Sequence, residues 1–329
     1  MELGEGLLCL KVRIETIGVV RVLFFLAGLL SRINPLRSTV NRDQILLLIF
    51  RGGTFLCLLG WAWTHFYWEG SYAVLVWNET TQGLAENWDD FVGSGADDGL
   101  VQRWLGVLAW LYLAGTVCAL TVRRTSTYQL VPLLLSVVML GVLFYAKYLG
   151  AQPQLPMLIE HGGQFLMPVL LVLGLKMGPR HPMVMNLAII AVTLTFAGHG
   201  AYALGLWPIP SNYFSMTKVI FGWEAATTKV FLGVAGALDY LLCVGLLIPK
   251  LRIPSALYAC FWGLATALAR PVAGMSSELN FWGADHFVHE ALLRAPHFLI
   301  PLYLAVFWYK PRKKSTGDLV SVTESVPDS

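Results

Sequence analysis

The apolar residues of this chain come in runs long enough to cross a bilayer, at about residues 44 to 66, 104 to 122, 127 to 149, 154 to 177, 183 to 205, 228 to 248, 253 to 273 and 287 to 309. A hydrocarbon layer asks for roughly 20 apolar residues per helix, and each run meets that length. The chain is therefore read as an all-α, polytopic transmembrane helical bundle of about eight spans. With 56% of its 329 residues hydrophobic and only 13% charged, a soluble core is excluded. An earlier apolar stretch, Ile17 to Leu30, is too short for a usual span and carries Arg21, so it is read as an interfacial helix. Glu2, Glu5 and Glu15 spoil the basic leader of a signal peptide.

Charge sets the expected orientation. Arg123 and Arg124, Lys176 and Arg180, Lys250 and Arg252, and the tail as far as Lys314, with Lys310, Arg312 and Lys313, fall in alternate connections that hold no acid. Basic connections stay in the cytoplasm. The segment from Tyr67 to Arg103 carries Glu69, Glu79, Glu86, Asp89, Asp90, Asp97 and Asp98, as an exported loop would. The expected organisation is a cytoplasmic or interfacial segment (1–43), a membrane bundle (44–309) with an acidic exported loop (67–103), and a disordered cytoplasmic tail (310–329). Both termini are then cytoplasmic, in a cell inner (plasma) membrane protein. The net charge of +3 reflects this loop asymmetry and implies a lipid partner, with no nucleic acid.

The cysteines narrow the chemistry. Cys57, Cys118, Cys243 and Cys260 lie in separate spans, Cys9 lies in the leader, and no C-x-x-C pair exists, which argues against a thiol-disulfide oxidoreductase. Asn78-Glu79-Thr80 fits a glycosylation acceptor on the exported side, a triplet common by chance. Three pairs of spans share a short basic turn, and Gly174-Leu175 and Gly245-Leu246 precede two of the turns equivalently. A diverged repeat would leave this pattern, and so would the ordinary needs of tight hairpins. The aromatics of residues 206 to 227, including Trp207, Tyr213 and Trp223, are read as an interfacial belt, with a lid over a site as the alternative.

Six of seven histidines gather toward the expected outer face: His65, His161, His199, His286, His289 and His297. Ionisable groups inside a membrane are costly, so a one-sided cluster marks a candidate site. On the last span His286, Glu290, Arg294 and His297 are spaced to form one polar stripe, with Glu290 and Arg294 placed for an intrahelical ion pair. Pro296 is expected to kink this helix and free the carbonyl of Leu292. The fourth span carries Glu160-His161-Gly162-Gly163-Gln164, the fifth ends with Gly198-His199-Gly200, and Arg270 closes the seventh. Counting helical rise from the span ends puts Glu160, His199 and Arg294 all about 9 to 11 Å below the outer boundary, and Asp239 about 16 Å in.

The candidate catalytic or proton-relaying residues are thus Glu160, His161, His199 and Glu290. Arg270, Arg294, Asp239 and Gln164 are candidates for substrate binding, and His161, His199 and His289 for a metal. His65, His286 and Lys147 are read singly as interfacial. Such a set could ligate a metal, hold a haem between facing helices, or pass protons to a quinone. None of these has a diagnostic spacing. His289-Glu290 is followed by Leu293 where the second histidine of a zinc-protease motif would stand, and no Rossmann, P-loop or nucleophile-elbow signature occurs.

Glu160-His161-Gly162-Gly163, running through Leu171 to Gly174-Leu175 and a basic turn, resembles the Glu-x-x-Gly segment of DoxX-like membrane proteins, a family of short helical hairpin units. The hairpin from Phe231 to Arg270 resembles it more loosely, so that about half the chain is covered. Phe196 to Gly205, Pro208 to Thr217 and Tyr258 to Pro271 are similar to longer bacterial polytopic proteins. Some DoxX-like members are associated with quinone-linked sulfur oxidation, so the resemblance implies a respiratory redox role with a quinone or respiratory partner. The family's four spans are half the number here, and the acidic loop has no counterpart in its pattern. Three functional readings follow: a quinone- or metal-linked redox component, a proton-coupled transporter or channel using Asp239, and a non-catalytic structural subunit.

Overall fold

The computed structural model describes residues 41–68, 70–76, 96–275 and 283–309. Residues 17–30, Asn78-Glu79-Thr80, Cys9 and the tail from Lys310, for which the sequence raises expectations, lie outside these. The chain divides into residues 1–45, of which only the first turn of a helix is described, and residues 46–329, which hold the bundle.

Among the described residues eight helical stretches are long and apolar enough to cross a membrane: Arg42–Tyr67, Arg103–Thr121, Leu130–Gly150, Leu155–Met177, Pro182–Ala203, Ala225–Leu247, Arg252–Gly274 and Val288–Trp308. They match the eight apolar runs, because in an apolar medium a helix satisfies every backbone group internally. No strand occurs among the described residues. In chain order the helices are α1 (Arg42–Tyr67), α2 (Ala73–Val76), α3 (Ala96–Thr121), α4 (Leu130–Gly150), α5 (Leu155–Ile159), α6 (Gly162–Met177), α7 (Pro182–Ala203), α8 (Ser211–Phe221), α9 (Ala225–Leu247), α10 (Arg252–Gly274), α11 (Gly283–His286), α12 (Val288–Leu293) and α13 (Pro296–Trp308). Helix α3 starts at Ala96, inside the segment read as the acidic loop, so that loop is shorter than expected.

Sequential spans pack as neighbours, with α3 against α4, α6 against α7 and α9 against α10, and the chain closes by laying α13 along α10. Helix α7 touches α5, α6, α9 and α13. Small residues set these approaches. A Cβ on Gly236 would meet the Gly200 carbonyl at 2.8 Å, so α7 and α9 cross with backbones close together.

The basic turns do more than carry charge. Arg51 of α1 donates to the carbonyls of Ala119, Leu120 and Val122 at 3.0, 2.8 and 2.6 Å, satisfying the exposed C-terminus of α3. Arg124 and Lys176 exchange side-chain bonds with each other's backbone carbonyls at 3.2 and 3.0 Å. The turn into α7 needs Gly178 at φ +97°, and His181 caps that helix by accepting the Met183 N–H at 3.2 Å. Cys57, Cys118, Cys243 and Cys260 are all free.

Two of the eight spans are broken, and both breaks lie at the end of the bundle that carries the acidic connection. Between α5 and α6 the break falls at Glu160 and His161, where the Gly163 N–H donates to Thr195 Oγ1 of α7 at 2.9 Å. Between α12 and α13 it falls at Arg294 and Ala295. The expected single polar stripe on the last span is therefore three helical pieces: Arg294, Ala295 and His297 donate only three residues back, to Ala291, Leu292 and Arg294. The Leu292 carbonyl, expected to be free, accepts the Ala295 N–H at 3.0 Å, and Pro296, which has no N–H to give, starts α13.

Candidate functional site

The two breaks turn side chains from separate spans toward one another. At that end of the bundle lies a cavity of about 490 Å³. Its lining includes Lys147 from α4, Glu160 and His161 from the α5–α6 break, His199 from α7, Arg270 from α10, and Glu290, Arg294 and His297 around the α12–α13 break. Convergence at one depth, expected from counting residues, is thus met by adjacency in space.

Glu160 is the centre of the arrangement. Tyr213 of α8 donates its hydroxyl to Glu160 Oε2 at 2.9 Å, His199 Nε2 lies 3.6 Å from the same oxygen, and His161 Nδ1 lies 3.8 Å from Oε1. His161 Nδ1–H donates to the Met157 carbonyl at 2.7 Å, which fixes its tautomer and leaves Nε2 as the variable nitrogen. Burial, and then the charge of Glu160, push the Tyr213 hydroxyl well above the ordinary tyrosine range, so it stays a donor. The carboxylate is held in place by close packing, because a Cβ on Gly198 would meet Glu160 N at 2.7 Å and its Cα at 2.8 Å.

Across the cavity Glu290 takes both guanidinium groups. Arg270 Nε and Arg294 Nη1, the latter at 3.2 Å, reach the same oxygen, Glu290 Oε2. The expected intrahelical pair is present, joined by a second cation from α10. Gln164 also lines the cavity, but its side-chain oxygen accepts the Trp61 indole N–H at 3.1 Å and so ties α6 to α1.

Lys147 has neither kind of partner. Among the described residues no carboxylate stands within ion-pairing distance of its ammonium, which lies 5.4 Å over the Trp61 ring. His297 is 2% exposed with neither ring nitrogen hydrogen-bonded, its ring edge-to-face with His199 at 5.1 Å.

Three expected roles are not assembled. Among the described residues no three His, Cys, Asp or Glu side chains are grouped to hold a metal ion, since His289 turns to stack between Trp63 and Trp68 instead of joining His161 and His199. The edge contact of His199 with His297 leaves no room for a haem macrocycle between those two rings. Asp239 does not line the cavity: it is buried in α9 near Gly200 of α7, with Oδ1 unbonded.

His65 is buried, donating through Nδ1 to the Trp61 carbonyl at 2.7 Å and accepting from the Tyr72 hydroxyl at 3.1 Å. His286 is exposed beside Trp68 at the cavity rim. Lys147, Trp61 and Tyr213 line the cavity as well, although none of them is among the candidate site residues read from the sequence. A signal for the first was present, because Lys147 is the one charged residue between Arg124 and Glu160. Tyr213 had been assigned to an aromatic belt, and its hydroxyl instead reaches into the site, as a lid residue would.

Fold and site together define a multi-pass helical membrane protein with a charged cavity at one end of its bundle. The chain matches no family model, no curated protein and no solved structure.

Proposed function

We propose that this protein binds a small amphipathic molecule at the outer face of the inner membrane and exchanges a proton with its polar end through Glu160. The observation that carries the reading is the carboxylate itself: its side chain is only 12% exposed, it lines a ligand-sized cavity, and Tyr213, His199 and His161 surround it. A proton can leave or reach Glu160 on the side of His199, whose Nε2 lies 3.6 Å from Oε2, while His161 Nδ1 stays bonded to the Met157 carbonyl. Tyr213 orients it, and Arg270 with Arg294 fixes Glu290 opposite.

The finer form of the proposal is a quinone-linked redox component, as the DoxX-like resemblance implies. A bound quinone would supply a two-electron, two-proton couple. The residues present suit its head: Trp61 and Trp68 give flat apolar walls, and Lys147, His161 and His199 give polar groups at one end. The basic turns support cytoplasmic termini, which would put the cavity on the opposite, outer side.

A purely structural role would leave Lys147 and His297 without a purpose, because groups that only tie helices together are paired. A transport path through Asp239 has lost its entry, since that residue lies off the cavity.

Absorption spectra of the detergent-purified protein, oxidised and dithionite-reduced, with solvent extraction of the same sample, test the proposal. A stoichiometric quinone that is lost in Glu160→Gln or His199→Ala is the expected result. A sample free of any extractable ligand, with spectra unchanged by reduction, would overturn the redox form.

A further inference from the structure

We infer that the cavity receives its ligand as an anion, through a single negatively charged oxygen group held by Lys147. The inference rests on the cavity being a binding site and adds the charge of what binds there.

Three basic side chains line the cavity, Lys147, Arg270 and Arg294, against two carboxylates, Glu160 and Glu290. Both arginines are spent on one oxygen of Glu290. The Glu160 oxygens are engaged by Tyr213 and faced by His199 and His161. Lys147 is left with the π-face of Trp61, which attracts a cation but does not neutralise it. Lys147 therefore stands at the end of an apolar bundle without an ion pair, and a ligand group of opposite sign is what would hold its charged form there.

A second observation points to the same occupant. His297 is buried against the cavity with both ring nitrogens unbonded, so an N–H donor stands ready for an oxygen ligand. His297 is also the second residue of α13, a 13-residue helix, and His161 precedes the 16-residue α6. Two helix N-termini thus begin at the cavity wall and add partial positive charge to it. A cation-binding site would have the opposite balance.

The chemistry named is an oxyanion: a carboxylate, phosphate or sulfonate group on a small molecule, or the phosphate of an anionic lipid. Thermal unfolding of the purified full chain in zwitterionic detergent, with inorganic phosphate against chloride at equal ionic strength, tests for the free anion. Native mass spectrometry from nanodiscs of phosphatidylglycerol against phosphatidylcholine tests for the lipid. In the wild type, phosphate raises the midpoint or phosphatidylglycerol is retained selectively, and the first or second result tells which source applies. Lys147→Met loses that preference, by about tenfold or more in apparent affinity, and Lys147→Arg keeps most of it.

An anion effect equal in Lys147→Met and wild type, or none by either method in a folded wild-type protein, would overturn the inference. Quinone extraction separates it from the redox proposal. Quinone present equally in wild type and Lys147→Met, with no anion effect, would leave the redox reading standing and this one refuted. An anion effect in a quinone-free protein would do the reverse.

Discussion

Tyr213 donates its hydroxyl to Glu160 at 2.9 Å, joining the short helix that follows the fifth span to the break in the fourth. The bond makes α8 part of the site wall. Because burial and the adjacent carboxylate hold the Tyr213 proton well above the ordinary tyrosine range, the folded protein keeps a proton that the unfolded chain gives up in alkali. That contribution is complete below about pH 10, the unfolded value, and is lost as pH rises through the folded one.

Tyr213→Phe is expected to lower stability at neutral pH by about 1 to 3 kcal/mol, the range for a hydrogen bond to a charged group. It should also show a smaller loss on going to about pH 10.5 than the wild type does. Denaturant unfolding in detergent at both pH values measures this; equal alkaline losses in the two proteins would contradict it.

Gly198→Ala puts a methyl group against the backbone of Glu160, at 2.7 Å from its nitrogen, where no flexible side chain can yield. A cost of about 1 to 3 kcal/mol is expected from the overpacking. Gly233→Ala, with nothing within 4 Å, is the matched control in a neighbouring helix. Comparable unfolding midpoints for the two variants would show that the contact at Gly198 does not hold the break in place.

Thr195→Val keeps the shape of the side chain and removes the hydroxyl that accepts the Gly163 N–H. The orphaned amide then sits in a buried position, which costs about 1 to 3 kcal/mol. Hydrogen exchange at Gly163, followed by mass spectrometry of the overlapping peptides, should speed up in the variant and leave distant spans unchanged. Unaltered exchange there would refute the assignment.

Arg51→Met removes the group that satisfies the carbonyls of Ala119, Leu120 and Val122. Three charge-assisted bonds at one helix end make this the most damaging of the four changes, at about 2 kcal/mol or more. Proteolysis at the basic turn after α3 reads the effect, and cleavage no faster than wild type would be the contrary result.

The membrane spans were legible because a bilayer imposes its requirement locally: each segment must be apolar over its own length and close its own backbone bonds, so hydropathy along the chain suffices. The eight stretches predicted from the apolar runs are the eight found among the described residues. The polar residues of the fourth, fifth, seventh and eighth spans were legible as a group for the same reason, since a charged or hydrogen-bonding side chain stands out in an apolar run. Direction was not. His289 looked equivalent to His161 and His199, and it stacks between two indoles instead. Lys147 looked interfacial, and it faces the cavity.

What the sequence determined by itself is therefore the placement of the apolar spans among the described residues and the residue types that could do chemistry. Tertiary structure alone decided which of those residues meet. Gly198 against Glu160, Thr195 on the Gly163 amide and Pro296 at the head of α13 set two helix breaks, and those breaks depend on contacts 32 or more residues apart in the chain or on a turn of non-helical bonds. Packing between helices carries no sequence period of its own, so the cavity, the place of Lys147 on its wall without an ion pair, and the place of Asp239 outside it became visible only when the spans were brought together.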